Sequence, residues 1–501
     1  MVSPVVVKGA SIALVGVLVM GVLGRIDSLV GERRLRGLEA VRSVEQSHAS
    51  SQTVIGPLLL RDCTEEWEEA TGSGADRRVA YEHEMRTVAQ TPARLQLDGG
   101  TQSDVRYRGL FKVNTYVARV TAVAEFPNAV PLQAARLHPN SKLTCGRPRI
   151  AASLSDLRGL RKASVTLDGQ ALAVSPGTGF DHYPNGLQAV LPEDRDVDGH
   201  PAPMTVKVAL EFVGTAQLAW VPAAGETRLT LKSDWRHPSF GGQFLPLSRT
   251  VRADGFDATW AVSALATSAP ADVLKGAAPC ALSSGDALDD EATGYGGGVV
   301  REAPHAPAGA GTTACLDTLA VSFIDPVNPY VLSDRAVKYG LLFVALTFVA
   351  VGLVEVLSGR RVHPVQYGLV GLALALFFLL LLSLSEHLPF AASYAAAASA
   401  CALLLTFYAR FMLGRLSAGL AFGGGIAALY GLLYVLLQME QNALVIGAVM
   451  LFAALAAVMA LTRQVDWYSL FQRWQAPAGS AGPVTPVAAA RAAAHDPAAS
   501  S

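Results

Sequence analysis

Two stretches of this chain hold residues whose types and spacing suit chemistry. The first is Asp234-Trp235-Arg236-His237-Pro238-Ser239-Phe240, followed by Gly241-Gly242-Gln243-Phe244-Leu245-Pro246. His237 and Ser239 are a base and a nucleophile by type, and residues two apart on a strand point to the same face. That alignment does not by itself make the hydrogen bond that activates a hydroxyl. The competing reading is an aromatic, proline-rich turn that packs on a sheet or receives a partner through Trp235, Phe240 and Phe244. The second stretch carries Glu355, close to the end of an apolar run. A carboxylate inside a membrane reads by default as a functional group, for instance a proton or cation site, whereas Arg360 and Arg361 nearby point to a group solvated at the interface.

No G-x-x-x-x-G-K-[ST], H-E-x-x-H or G-x-S-x-G occurs, so no motif names phosphate, zinc-peptidase or serine-hydrolase chemistry. No catalytic residue, cofactor or metal is expected. Cys63, Cys145, Cys280 and Cys315 precede the late apolar runs and Cys401 lies inside one. None forms a C-x-x-C, which argues against a zinc ribbon or a dithiol redox motif. In an oxidising compartment the first four allow two disulfides, in three pairings that spacing leaves open. Free buried thiols are the alternative.

The elements that must position these residues begin with composition. Hydrophobic residues make up 51% of the 501 and charged residues 16%, well below the ~25% of soluble domains. Forty Lys and Arg against 41 Asp and Glu leave a net charge of −1, which speaks against a nucleic-acid partner.

A charge-free run from Gly9 to Gly24, after Lys8 and before Arg25, reads as an uncleaved membrane anchor, since no small-residue cleavage site follows. Five further apolar stretches, near 337–357, 364–385, 390–409, 416–437 and 443–461, each approach the ~20 residues that a helix needs to cross hydrocarbon. Arg360, Arg361, Arg410, Arg415, Arg463 and Arg473 fall on one side if these helices alternate. The other loops carry Glu386, His387 and Glu440 without Lys or Arg. This positive-inside pattern places both termini in the cytoplasm and translocates residues from about 30 to 333. Arg25, Arg33, Arg34 and Arg36, just after the first run, oppose that orientation, but long translocated domains escape the rule. His363-Pro364 suits a cap on the third span. Gly419 and Gly423 form a G-x-x-x-G for close helix packing. Trp467 and Tyr468 at one boundary, and Tyr330, Asp334, Arg335 and Lys338 at the other, read as interface anchors.

In the segment between the first and second spans, Leu35, Leu38, Val41 and Val44 extend the first helix at helical spacing. Val206, Val208, Leu210 and Phe212 alternate with Lys207, Ala209 and Glu211, as in a half-buried strand. Similar runs at 111–126, 171–174 and 228–232 are separated by the turn signals Asp98-Gly99-Gly100, Asp168-Gly169 and Pro176-Gly177. The segment therefore reads as mainly β, a sandwich or two packed sheets. Residues 266–313, rich in small and polar types, read as a flexible surface insertion, and the tail after Gln475 as disordered. The fold expected is a polytopic α-helical membrane protein of six transmembrane helices with a large mainly-β domain between helices 1 and 2. Its parts are an anchor at 1–30, a β-rich domain at 31–333, a five-helix bundle at 334–462 and a tail at 463–501.

Several motifs together resemble the CreD family of bacterial inner-membrane proteins. They are Asp325-Pro326-Val327-Asn328-Pro329-Tyr330, Ser333-Asp334-Arg335-Ala336-Val337-Lys338-Tyr339, Glu355, His363-Pro364-Val365-Gln366-Tyr367 and Leu384-Ser385-Glu386-His387. In the exported part they are Gly56-Pro57, Ser155-Asp156-Leu157-Arg158-Gly159, Pro176-Gly177-Thr178-Gly179, Trp235 with His237-Pro238-Ser239-Phe240, and Phe244-Leu245-Pro246. Thr462-Arg463 with Asp466-Trp467-Tyr468 completes the set, which spans nearly the whole chain in order. The insertion at 266–313 and the tail after Gln475 depart from the pattern. The resemblance implies a multi-pass protein of the inner membrane with a periplasmic domain and no enzymatic activity. It also implies an effector of a CreBC-type two-component regulon, tied to cell-envelope integrity, colicin tolerance and β-lactam response. Membrane lipids and an unidentified periplasmic or envelope partner are the expected contacts. The alternative is a transporter of small molecules, ions or lipids built on the helix bundle.

Overall fold

Along Met204–Thr215 buried and more exposed positions alternate, with Val206, Val208 and Phe212 sealed from solvent, as a strand with one face on a core requires. The computed structural model describes residues 4–71, 78–126, 135–192, 196–197, 200–201, 203–280, 315–323, 329–358, 362–439 and 443–463. Two units emerge, one of Met1–Arg33 with Val327–Ser501 and the other of Arg34–Pro326. A single helix, α1 (Pro4–Ser47), belongs to both.

The β unit contains β1 (Gln52–Thr71), β2 (Arg78–Gln90), β3 (Arg94–Arg108), β4 (Phe111–Phe126), β5 (Lys142–Cys145), β6 (Arg149–Leu154), β7 (Leu160–Leu167), β8 (Gln170–Leu172), β9 (Val174–Pro176) and β10 (Gly186–Val190). It continues with β11 (Asp196–Val197), β12 (His200–Pro201), β13 (Met204–Thr215), β14 (Gln217–Trp220), β15 (Glu226–Ser233), β16 (Pro238–Gly242), β17 (Ser248–Arg252), β18 (Gly255–Ser263), the helix α2 (Ala269–Leu274) and β19 (Leu319–Phe323). Among the described residues a nine-stranded sheet runs β16-β19-β14-β1-β6-β10-β9, with β2 and β5 also on β1, and an eight-stranded sheet runs β17-β18-β15-β3-β4-β13-β7-β8. Leu59, Ile150, Leu218 and Trp220 of the first sheet share one core with Leu97, Phe126, Phe212 and Trp260 of the second. The two packed sheets are thus those expected from the alternation.

Two local expectations fail. Asp98-Gly99-Gly100 is not a turn but lies inside β3, because a Cβ on Gly99 would come within 3.2 Å of Val120 and 3.3 Å of Leu231 on the flanking strands. Glycine there admits crowded neighbours across the sheet. Part of the presumed insertion is also folded. Residues 269–274 form α2, whose Ala269 and Val273 pack with Ile55, Leu60 and Phe180 in a second core. The expected flexible stretch from 281 to 313 and the tail after Gln475 lie outside the described residues.

In the helical unit α1 is followed by α3 (Pro329–Ser358), α4 (Pro364–Ser385), α5 (Phe390–Leu413), α6 (Leu416–Gln438) and α7 (Ala443–Thr462). Among the described residues five helices are long and apolar enough to cross a membrane, and α7 adds a shorter apolar run, Val445–Ala460. Val19, Leu23, Ile26 and Val30 of α1 join Phe343, Tyr367, Phe378 and Tyr430 in one core. The G-x-x-x-G acts through contact: a Cβ on Gly423 would stand 1.8 Å from Thr406 Oγ1, and one on Gly419 2.9 Å from the Arg410 backbone, so α5 and α6 approach closely.

Candidate functional site

Glu355 ends the apolar part of α3 at 4% exposure. Its carboxylate takes up Lys8 Nζ from α1, the Tyr367 hydroxyl of α4 at 3.0 Å and the Val362 N–H at 3.1 Å. The carboxylate is held by protein groups rather than left to solvent beside Arg360 and Arg361: it is buried, and a cation 347 residues earlier shares it. Those two arginines lie outside the described residues. Burying a carboxylate is costly unless a cation and further donors satisfy its oxygens, and this site supplies both. Tyr367 is held edge-on against Phe348 at 5.8 Å. His363 caps α4, its Nδ1 accepting the Val365 N–H while Gln366 Oε1 accepts the His363 N–H. The capping box fixes where Tyr367 enters the bundle.

At the other end of α1, Arg33 lies 3.4 Å from Glu386, the C-cap residue of α4, and Tyr330 is close to both. His387 continues that turn, its N–H donated to the Leu384 carbonyl at 3.0 Å. In the bundle interior Tyr394 donates to the Tyr430 carbonyl at 2.6 Å, Tyr430 to Cys401 Sγ at 3.0 Å, and Cys401 to the Ala373 carbonyl at 3.3 Å. Sequence reasoning missed this chain, since isolated tyrosines in apolar runs resemble core residues.

In the β unit the Trp235 motif joins the two sheets. Trp235 is buried, its Nε1 donates to the His237 carbonyl at 2.9 Å, and its ring meets Phe323 edge-on. Phe240 on the edge strand β16 packs edge-on against Phe256 and Trp260 of β18, and Trp260 Nε1 donates to the Phe244 carbonyl at 3.1 Å. Pro238 opens β16 opposite Phe323. The side chains of His237 and Ser239 are exposed, and it is the carbonyl of His237 that is engaged. Aromatic packing, not a base–nucleophile pair, is what this geometry assembles.

Ser155-Asp156-Leu157-Arg158-Gly159 fastens the exit of α1 to the sandwich. Asp156 accepts from the Ser50 N–H and hydroxyl and from Arg158, which also donates to the Gln46 carbonyl at the end of α1. The Arg158 guanidinium above all holds the Asp156 carboxyl far below the usual carboxylate range. Glu65, sealed from solvent, accepts from the Ser141 hydroxyl, the His138 and Leu137 N–H groups and Arg86. The Ser141 hydroxyl and the His138 N–H, aided by Leu137 and Arg86, outweigh burial and bring it down to about 2.

The disulfides are Cys63–Cys145, on directly paired positions of β1 and β5, and Cys280–Cys315. Cys401 is the free thiol. Among the described residues no group of three or more His, Cys, Asp or Glu is arranged to hold a metal ion.

Comparison with known proteins places the chain. Solved structures of an M1 zinc metallopeptidase from Deinococcus radiodurans, one of them a point mutant, share 12% identity over 34% of this chain and 38% of theirs at a TM-score of 0.19, a level that carries no argument. The inner membrane protein CreD of Escherichia coli (strain K12) is 30% identical over 446 residues, 89% of each chain. The profile of the family described as "Inner membrane protein CreD" matches residues 4–468, and the chain belongs to that family of multi-pass inner-membrane proteins.

Proposed function

We propose that the chain is a non-enzymatic effector of cell-envelope integrity, working without a cofactor within a CreBC-type two-component regulon and tied to envelope maintenance, colicin tolerance and β-lactam response. In this reading both termini are cytoplasmic, and the β unit stands in the periplasm, where it engages an envelope or peptidoglycan-linked partner. The observation that supports it is the division of the cysteines. All four in the β unit are paired, and the free thiol is buried in the helical unit. Such a division suits a domain oxidised outside the cytosol. Complementation of a deletion strain under β-lactam stress tests the proposal. Wild type restores resistance, and His237→Ala, which removes an exposed imidazole while leaving the Trp235–carbonyl bond, does not. Full rescue by that variant would remove the motif from the partner surface, and a reporter fused near residue 200 that works only in the cytosol would reverse the topology.

A second reading, transport through the bundle, is favoured by the buried Lys8–Glu355–Tyr367 group. It requires Glu355→Gln to abolish activity at normal expression, and a neutral outcome counts against it.

A further inference from the structure

From Leu388 to Met439 the chain carries two charged residues, Arg410 and Arg415, and no acid. Both stand where α5 gives way to α6. Gly414 turns the chain at a φ of +64° and donates its N–H to the Arg410 carbonyl at 2.9 Å, while the Gly419 N–H donates to the Arg415 carbonyl at 3.1 Å. Gly419 also lies against the Arg410 backbone. The two cations are thus held in one short, tightly packed turn, with their side chains exposed.

Among the described residues neither guanidinium has an ion pair or a hydrogen bond. Arg410 lies over the Phe411 ring at 5.8 Å, and Arg415, the N-cap residue of α6, makes no capping bond with its side chain. The one carboxylate at this end of the bundle among the described residues, Glu355, is taken by Lys8.

The surface beneath the turn sets its level in the membrane. Phe407 and Leu403, one and two turns before Arg410 on its side of α5, are 62% and 70% exposed. On α6 Leu416 and Leu420 are exposed as well. In helices that span a bilayer such a surface faces acyl chains, so the cations directly above it stand at the level of the lipid phosphates. The planar fork of a guanidinium matches phosphate oxygens in geometry and in charge.

We propose that Arg410 and Arg415 hold the phosphate of an anionic phospholipid against the α5–α6 turn, with an acyl chain lying along Phe407 and Leu403. Two cations fixed beside one phosphate favour a headgroup of net negative charge over a zwitterionic one, whose own cation they repel. The site lies wholly within the helical unit and requires only that α5 and α6 cross the bilayer.

The test uses the full chain in nanodiscs with a fluorophore at Ser417→Cys, exposed just beyond Arg415, or at Gln438→Cys, exposed at the other end of α6. Labelling without reductant leaves both disulfides intact and Cys401 buried. The quencher is phosphatidylglycerol or phosphatidylcholine with a nitroxide high on one acyl chain, diluted in unlabelled phosphatidylcholine. The label at 417 should be quenched at a lower fraction of phosphatidylglycerol than of phosphatidylcholine, and the label at 438 equally by both. Arg410→Gln or Arg415→Gln should each cut that preference about fivefold, whereas Arg410→Lys with Arg415→Lys should keep most of it. Arg463→Gln, at the end of α7, should leave it unchanged. Equal quenching at 417 by the two lipids overturns the proposal. So does a preference that survives both neutralisations, or one that Arg463→Gln removes. Loss of the preference to excess inorganic phosphate at constant ionic strength assigns the pair to a free anion and likewise overturns it.

Discussion

Replacing Glu355 with Ala removes at once the acceptor for Lys8, the Tyr367 hydroxyl and the Val362 N–H. Losing one partner of a buried ion pair costs about 3–5 kcal/mol, because the survivor stays desolvated. Lys8 retains 23% side-chain exposure and recovers part of its hydration, which sets the expected loss at ~3 kcal/mol, the lower end of that range. Glu355→Gln keeps a carbonyl oxygen for Tyr367 or Val362, so its cost falls to about 1–2 kcal/mol. Lys8→Met completes a double-mutant cycle with that variant, and coupling of at least ~1 kcal/mol is expected if the two side chains act as one unit. The assay exploits Cys401, the free thiol, which is buried in the bundle. Its reaction with a thiol-specific fluorophore, followed with temperature in detergent, reports unfolding of the helical unit without interference from the β unit. Costs that add within about 0.3–0.5 kcal/mol would refute the pairing.

Gly159→Ala should destabilise the β unit by about 1–3 kcal/mol, because its Cβ would stand 2.3 Å from the Val213 carbonyl and 2.5 Å from Gln52 Nε2; an unchanged melting curve by tryptophan fluorescence would contradict the packing described. Trp235→Ala should cost about 3–5 kcal/mol by the same measurement, and Trp235→Phe, which gives up chiefly the bond to the His237 carbonyl, about 1 kcal/mol. Acid should act through Glu65, whose folded-state pKa of about 2 lies below its unfolded value. Its contribution is complete above about pH 4.3 and fades as pH falls toward 2. Glu65→Gln should flatten the pH dependence of the melting temperature across that window, and an unaltered slope would show that another group controls it.

What the sequence displays is what short-range periodicity encodes. Hydrocarbon-length runs mark the later helices to within a few residues, except that α3 begins at Pro329, where Leu332, Ala336 and Val337 already join the core of the helical unit. Alternation finds β4, β13 and β15. What it hides depends on register and on distant partners. Gly99-Gly100 carries a turn's composition, and only the crowding from Val120 and Leu231 reveals a strand. The cysteine pairing stays open until β5 is laid on β1, which sets Cys145 opposite Cys63. The small-residue composition of 266–280 conceals Ala269 and Val273, two apolar residues that suffice to seat α2.

The same limit explains the conflict over the first span. Counted along the sequence, Arg25, Arg33, Arg34 and Arg36 argue against exporting the segment after α1, because the positive-inside rule treats flanking charges as isolated. In the folded unit Lys8 is matched to Glu355 at one end of α1 and Arg33 to Glu386 at the other. Residue 8 meets the end of α3, whereas Arg33 and Glu386 gather beside Tyr330 at its start, so α1 and α3 run antiparallel. A cation held by a carboxylate weighs less as an orientation signal than one left to the membrane potential and the anionic lipids. Within the helical unit α1 is thus tied to the later helices by a charge pair at each end, a relation that a count of flanking charges along the sequence does not contain.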